Sequence, residues 1–285
     1  MERAPKAGRE SYLFSPESVV WRVNREGVLL LGGGRALLMQ IAHPAIAQGV
    51  ADHSRFRQEP LRRLWRTMNT MWSVDFGDAS QAQEALRRVD EIHQRVQGRV
   101  REGEIAGKDY DARDPRLLLW VHATLVDSAL ATHDRFVRPL SAEEKKRYYD
   151  EMKPFGALFG IPEDLMPPSL ADFYVYMKEM IGGNKLVVGQ TARDLARDIL
   201  RPRPWLLRPG APFQTLVTAG LLPPRLREAY RLDWNDGKEK RLRLLSGIIR
   251  RVLPLLPDFF RVVPPARAAE KRLRRAAAAS NGEKP

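Results

Sequence analysis

Apolar residues recur at three- and four-residue steps along most of this chain. Between residues 60 and 72 the apolar positions are Leu61, Leu64, Trp65, Met68 and Met71. This spacing predicts an amphipathic helix, which we expect to end before a turn at 75–78. A second stripe predicts a long helix over 82–100, and the most apolar helix is predicted over 117–131. No segment alternates apolar and polar residues as a half-buried strand does, so the sequence predicts an all-α fold.

We predict that the helices form one large domain. A chain of 285 residues can bury a sizeable core, and no linker is long enough to divide it. We expect a flexible N-terminal arm at 1–16, a multi-helix domain at 17–265 and a basic low-complexity tail at 266–285. The last helix of the domain, predicted over 241–256, is both basic and amphipathic.

A run of glycines, Gly32, Gly33 and Gly34, follows a short apolar segment and precedes a helical pattern. The same order occurs in dinucleotide-binding folds. The G-x-G-x-x-G pattern fails at Leu37, however, and no βαβ repeat follows. We therefore expect the glycines to separate two helices, and residues 36–42 to form a buried helix that Pro44 ends.

Composition narrows the chemistry and the partners. The chain has no cysteine, which excludes disulfides, iron–sulfur clusters, thiolate-ligated zinc or haem, and cysteine nucleophiles. The formal net charge of +13 favours anionic partners, such as an anionic membrane surface or the acidic groups of a cofactor. We expect no nucleic-acid partner, because no helix-turn-helix or aromatic platform stands out. No apolar signal segment follows the polar start, so we expect a cytoplasmic protein that can also associate with a membrane surface.

Two of the five histidines lie on or beside apolar helix faces. His93 is at the edge of the stripe in 82–100, and His122 lies within the apolar helix 117–131. A buried neutral imidazole costs about 2 kcal/mol or more unless its nitrogens are used. Each of these two side chains is therefore expected to bind a ligand or to make an internal hydrogen bond. No histidine belongs to a zinc motif such as H-E-x-x-H.

Cationic and hydroxyl side chains share one face of the helix predicted over 60–72. Arg63, Arg66 and Thr67 stand at positions i, i+3 and i+4, which lie on one side of a helix. Two interpretations fit this face. It is either one wall of an oxygen-handling metal or haem pocket, or ordinary helix surface.

Longer motifs occur in a fixed order between residues 32 and 125. They are Gly32-Gly33-Gly34-Arg35 with His43-Pro44, Gly49 with Asp52-His53-Ser54, Arg63-Leu64 with Thr67, Ile92-His93 with Val96 and Gly98, Tyr110 with Ala112 and Asp114-Pro115, and Leu119-Trp120 with His122 and Thr124-Leu125. In content and order these motifs resemble the mpaB / rubber oxygenase (latex clearing protein) catalytic-domain family. The likeness covers roughly residues 17–235.

The resemblance implies a globin-like helical core with extra helices that holds haem b. It also implies a haem-dependent oxygenase that cleaves or oxidises a C=C bond of an apolar, isoprenoid or lipid-like substrate with O2. Carried over by motif, the proximal iron ligand falls on His93, and the family's arginine and threonine fall on Arg63 and Thr67. The family's distal lysine falls on Arg66. This is a departure, because lysine can lose a proton and ligate iron whereas arginine effectively cannot.

One alternative remains open for the haem ligand and one for the function. His122 is a competing haem ligand, or else a second axial ligand or an acid–base group, although the rubber oxygenases lack a histidine at that place. The apolar substrate would lie along residues such as Leu64, Met68 and Leu125. The alternative function is a non-catalytic helical protein that binds lipid or an anionic membrane surface through 241–256.

Overall fold

The structure is a computed structural model that describes residues 13–53, 60–201 and 209–282, without the side chains of 60–64 and 279–282. Helices account for nearly all of its regular structure, which confirms the predicted all-α fold. The α-helices are α1 (Val19–Asn24), α2 (Gly33–Ile41), α3 (Pro44–His53), α4 (Pro60–Phe76), α5 (Ala79–His93), α6 (Pro115–Phe136), α7 (Ala142–Leu158), α8 (Leu170–Gly182), α9 (Gln190–Leu200), α10 (Ala211–Leu221), α11 (Pro224–Ala229), α12 (Asp236–Val252), α13 (Asp258–Arg261) and α14 (Pro264–Gly282). Two short strands, β1 (Gln97–Arg99) and β2 (Asp109–Asp111), and three 3-10 helices, Gly27–Gly32, Glu163–Leu165 and Leu253–Leu255, complete the elements of the described ranges.

Short-range signals fix where several helices begin. At the start of α5 the Asp78 carboxylate accepts the backbone N–H of Gln81 at 2.9 Å, and the Gln81 side chain accepts the backbone N–H of Asp78 at 3.2 Å. The same reciprocal capping box joins Ser141 and Glu144 before α7. Each box pairs two N–H groups that the helix itself leaves without partners.

The glycine run separates two helical elements, as predicted. A 3-10 helix spans Gly27–Gly32, α2 begins at Gly33, and Pro44 begins α3. A Cβ atom at Gly34 would lie 2.2 Å from Oγ1 of Thr218 on α10. Glycine is therefore needed for the close packing of α2 against α10 rather than for a phosphate-binding loop.

The helix predicted over 82–100 is too long. α5 ends at His93, and the chain continues into the antiparallel β1–β2 pair, in which Gly98 lies opposite Tyr110. A Cβ atom at Gly98 would lie 2.7 Å from the Tyr110 hydroxyl, so this pairing requires glycine. Val96 and Val100, which extended the helical stripe, instead pack with Tyr110 in a small separate cluster.

The turn predicted at 75–78 is shorter than expected. α4 continues to Phe76, and both Asp75 and Phe76 are buried. The guanidinium of Arg272, on α14, donates to the Phe76 carbonyl at 3.0 Å and so pairs a backbone acceptor at the helix end. This contact comes from the far end of the chain, so a local turn signal cannot report it.

The main core lies around α2 and α6. The indole of Trp120 donates to the Met39 carbonyl at 3.1 Å, and the Tyr230 hydroxyl donates to the Leu38 carbonyl at 2.7 Å. Trp120, Leu38 and Met39 are completely shielded from solvent. α2 is therefore a central helix whose backbone is held from two sides by buried aromatic donors.

The C-terminal part of the chain packs on this core. The segment 266–285, predicted as a low-complexity tail, is helical where it is described, and Ala266 and Ala269 of α14 are fully buried. The basic helix predicted over 241–256 corresponds to α12. Of the helices in the described ranges, none is long and apolar enough to cross a membrane.

Candidate functional site around His93

His93 is the last residue of α5, which packs along α4. Gly77 and Asp78 connect these two helices, so they form a helical hairpin. The capping box at Asp78 fixes the start of α5, and the bond from the Val96 N–H to the His93 carbonyl, 3.0 Å long, turns the chain out of the helix. The hairpin therefore presents His93 at its open end, where the ring is half-buried.

A cavity of about 350 Å³ lies beside His93. Its wall is mostly apolar and is formed by side chains of α5, α6 and the end of α7: Leu86, Val89, Leu118, Leu158 and Phe159. Arg87, Asp90 and Arg113 also border it. The cavity thus combines one imidazole, an apolar lining and charged groups.

The side of the cavity formed by α7 depends on a glycine. α7 ends at Leu158, and Gly160 adopts a φ angle of +90°, which glycine tolerates far better than other residues. Its N–H donates to the Ala157 carbonyl at 3.0 Å. This turn holds Phe159 and Gly160 against the cavity.

The environment of His93 favours its neutral form. Burial lowers the pKa of the imidazole, and the charges of Asp90 and Asp111 partly oppose that shift. Within the described ranges no hydrogen bond engages the ring. A neutral imidazole offers a lone pair that can accept a proton or bind a metal ion.

The structure does not bring the predicted distal residues to this cavity. Arg66 and Thr67 are exposed on α4, and neither side chain borders the cavity. Arg63 also belongs to α4, but its side chain lies outside the described residues. The three positions share one helix face, as predicted.

The predicted substrate channel is not visible at this cavity either. Met68 and Leu125 are half-buried and do not border it, and the side chain of Leu64 lies outside the described residues. The apolar wall is instead supplied by α5, α6 and α7.

His122 lies in the core rather than at the cavity. Its ring stacks on Phe155 at a centroid distance of 6.0 Å, and a Cβ atom at Gly156 would lie 3.3 Å from its Nε2. Neither ring nitrogen has a hydrogen-bond partner among the described residues. Burial lowers the pKa of His122 to about 4, so the ring is neutral at pH 7. The two predicted haem ligands therefore occupy different environments, and only His93 borders the cavity.

The other three histidines lie away from this cavity. A ring nitrogen of His53 lies 3.0 Å from the Gln97 carbonyl oxygen, and one of His133 lies 3.0 Å from the Arg138 carbonyl oxygen. Burial lowers the pKa of His43 to about 4. In the described part of the chain no three histidine or carboxylate side chains converge as a metal site.

Several charged residues near the site were not singled out by the sequence. Asp90 stands three residues before His93 on α5, so helical spacing would have placed it on the same side. Arg113 lies in the loop before α6 and reaches the cavity only through the tertiary fold. Away from this cavity, at the closed end of the α4–α5 hairpin, Asp75 is not part of the predicted turn but a buried acid whose pKa is raised by burial to about 7.

The fold and the cavity together define a helical protein with a mostly apolar pocket. One histidine, whose pKa is lowered by burial, borders this pocket. A sequence model of the family described as "ER-bound oxygenase mpaB/B'/Rubber oxygenase, catalytic domain" matches residues 21–251. The chain therefore belongs to this family, as its motifs indicated.

Two relatives are uncharacterized proteins of Mycobacterium bovis and Mycobacterium tuberculosis. Each is 28% identical over 228 residues, which cover 78% of this chain and 87% of the relative. No solved structure matches the chain.

Proposed function

We propose that this protein is a haem-dependent oxygenase that cleaves or oxidises a C=C bond of an apolar, isoprenoid or lipid-like substrate with O2. One observation carries the proposal: His93, half-buried and with a lowered pKa, borders a mostly apolar cavity in a chain of an oxygenase family. The cavity volume of about 350 Å³ falls within the range of roughly 300–1,000 Å³ that is usual for small-molecule sites.

The donor set around the cavity fits a haem. His93 would hold the iron, and apolar side chains such as Val89 and Phe159 would face the macrocycle. Arg87 and Arg113 would provide cations for the propionates, beside the carboxylates with which they already pair. When bound, the haem supplies the chemistry that activates O2.

His122 fits the same role less well. Its ring does not border the cavity. A haem ligand normally has its second nitrogen held by a carbonyl, a carboxylate or water, and carboxylate charges act on His93 but not on His122. Phe155 and the backbone at Gly156 also pack closely on its ring. We therefore assign the ligand to His93, beside which the charges of Asp90 and Asp111 act.

Arg63, Arg66 and Thr67 have a supporting role in this proposal. Arginine stays protonated at any working pH, so Arg66 would donate hydrogen bonds and would not ligate iron. The exposed Thr67 hydroxyl adds a donor and acceptor on the same face of α4. Neither Arg66 nor Thr67 borders the cavity in this structure, so α4 would have to turn this face toward the cavity before these side chains could act on substrate or O2.

Reconstitution with haemin tests the ligand assignment. We expect the full-length protein to bind one haem with a Soret band. The His93→Gly variant should lose the band and regain it when imidazole is added, because free imidazole can replace the missing side chain. Titration followed by absorption spectroscopy measures both effects.

Two matched histidine variants serve as controls. His53→Ala removes a histidine that lies away from the cavity, so its spectrum should match that of the parent protein. A band that survives in His93→Gly and disappears in His122→Ala would move the assignment to His122. If the parent protein binds no haem, the proposed function is wrong.

A further inference from the structure

An apolar stripe on α12 faces away from the core. Leu244, Ile248 and Val252 recur every four residues and are 68%, 49% and 45% exposed, so they form one continuous stripe on the helix. Leu242 and Ser246, on the opposite face, are buried. α12 therefore buries one side and leaves an apolar stripe on the other side largely exposed.

Further exposed apolar side chains follow α12 along the chain. Leu255 is 81% exposed, and Phe259 and Phe260 on α13 are 67% and 72% exposed. Their two rings meet edge to face with centroids 5.1 Å apart. Single exposed apolar residues are ordinary, but a series along one stretch of chain marks an interaction surface. We call Leu244, Ile248, Val252, Leu255, Phe259 and Phe260 the docking surface.

Cations accompany the docking surface. Residues 240–257 contain five basic residues and no acidic one. Lys240, Arg241 and Arg251 are exposed, and none of them pairs with a carboxylate in the described ranges. The first acid that follows, Asp258, lies 3.4 Å from Arg25, which also pairs with Glu270 at 3.0 Å, so Arg25 offsets only part of the charge of Asp258.

We propose that the docking surface binds the surface of an anionic lipid bilayer. Exposed leucine, isoleucine and phenylalanine side chains would enter the boundary between headgroups and acyl chains, and Lys240, Arg241 and Arg251 would meet anionic headgroups. A second copy of the chain fits poorly, because a symmetric contact would bring the same unpaired cations together. This binding mode is independent of haem and of the proposed reaction.

Sedimentation with lipid vesicles tests the proposal on the full-length protein. We expect binding to vesicles of equal parts phosphatidylcholine and phosphatidylglycerol, and much weaker binding to phosphatidylcholine alone. Phe259→Ser with Phe260→Ser should lower partitioning at least about tenfold, because two large apolar side chains no longer enter the bilayer. Replacing Lys240, Arg241 and Arg251 by glutamine should lower it by about fivefold for each cation.

Matched variants elsewhere on the protein distinguish binding through the docking surface from nonspecific binding to vesicles. Tyr174→Ser with Val175→Ser removes exposed apolar groups on α8, and glutamine at Lys108, Lys178 and Lys185 removes three exposed cations that also pair with no carboxylate in the described ranges. Both variants should bind vesicles as the parent protein does. Because Phe259 also lies under the Arg267 guanidinium at 4.6 Å, Leu244→Ser with Ile248→Ser provides a second apolar test that leaves this contact intact.

Three results would overturn the proposal. The first is that the parent protein does not bind anionic vesicles. The second is that it binds neutral and anionic vesicles equally, and the third is that the apolar variants bind as tightly as the parent. Analytical ultracentrifugation tests whether a second copy of the chain binds the docking surface instead. A dimer that the Phe259→Ser, Phe260→Ser variant abolishes, together with no vesicle binding, would assign the surface to a second copy.

Discussion

Arg35 and His122 are buried to almost the same degree, 5% and 6% exposed, but their hydrogen bonding is opposite. The Arg35 guanidinium, on α2, donates to Asp127 at 2.5 Å, to Ser128 at 2.7 Å and to the Leu221 carbonyl at 2.8 Å. Neither nitrogen of His122 has a partner among the described residues. Burial alone therefore does not separate a structural polar group from one with spare bonding capacity.

The contact between α2 and α6 shows what a fully bonded polar interior does. The Gln40 amide donates to the Thr124 hydroxyl at 3.1 Å, and the Thr124 hydroxyl donates to the Val121 carbonyl at 2.7 Å. Bonded groups of this kind fix one arrangement of the two helices. His93 and His122 lack such bonds in the described ranges, so they either cost stability or serve a ligand.

The largest effect is expected at the bonded site. Arg35→Met leaves the Asp127 carboxylate and the Ser128 hydroxyl without their cation, and we expect it to lower the free energy of unfolding by about 3–5 kcal/mol. Urea denaturation followed by circular dichroism measures the loss. Arg88→Met, which removes an exposed ion pair with Glu84, is the control and should change stability little.

The next effect concerns another incompletely bonded group, Asp75. The Asn24 amide donates to one carboxylate oxygen at 3.0 Å, while the other oxygen is buried without a partner in the described ranges. Burial raises the pKa of Asp75 to about 7, above its unfolded value. The folded state therefore holds a proton that the unfolded state releases, and stability falls as the pH rises from about 4 to about 7.

The Asp75→Asn substitution should remove this loss of stability with rising pH. At pH 8 we expect the variant to be roughly 2–4 kcal/mol more stable than the parent, and at pH 4 the two should be similar. Urea denaturation at both pH values measures the difference. Asp109→Asn, at an exposed carboxylate, should show no such pH-dependent gain. Equal stability of Asp75→Asn and parent at both pH values would show that Asp75 is charged and bonded.

His122 should give a smaller effect of the same kind. His122→Phe removes two buried nitrogens that lack partners and keeps a ring beside Phe155, so we expect a gain of about 1–2 kcal/mol at pH 7. Because burial lowers the His122 pKa to about 4, parent stability should also fall as the pH drops below about 6.5. The His122→Phe variant should lose less stability over that pH range. Part of the loss should remain, because burial also lowers the pKa of His43 to about 4.

Thermal unfolding at pH 5 and pH 7 checks both parts of this expectation. A His122→Phe variant that is less stable than the parent at pH 7 would mean that the ring nitrogens are bonded. Loss of haem in this variant would move the iron ligand to α6. Either result would remove the contrast with Arg35.

The sequence predicted the features that local spacing determines. Apolar periodicity located the helices, and the Ser141–Glu144 box located the start of α7. Periodicity failed at the end of α5, because Val96 and Val100 keep the helical spacing while they pack on Tyr110 beside a strand. The pairing of Gly98 with Tyr110 is a contact between distant residues, and no local pattern reports it.

The candidate site was less predictable for the same reason. The sequence marked His93 and His122 as partly buried, but only the fold separates a cavity from a packed core. Arg113 and Phe159 reach the cavity from two different elements. Arg66 and Thr67 share a helix face as their spacing required, yet that face is exposed.

His93 should give the smallest change in stability and the clearest change in function. Its ring is half-buried at a helix end and makes no hydrogen bond in the described ranges, so His93→Gln should alter the free energy of unfolding by about 1 kcal/mol or less. The same variant should bind haemin at least about tenfold more weakly, because glutamine is a poor iron ligand. Urea denaturation without haemin and a haemin titration measure the two quantities on one sample. A loss of stability as large as that of Arg35→Met would place His93 among the structural groups, whereas weak binding at unchanged stability is what a ligand at an open cavity requires.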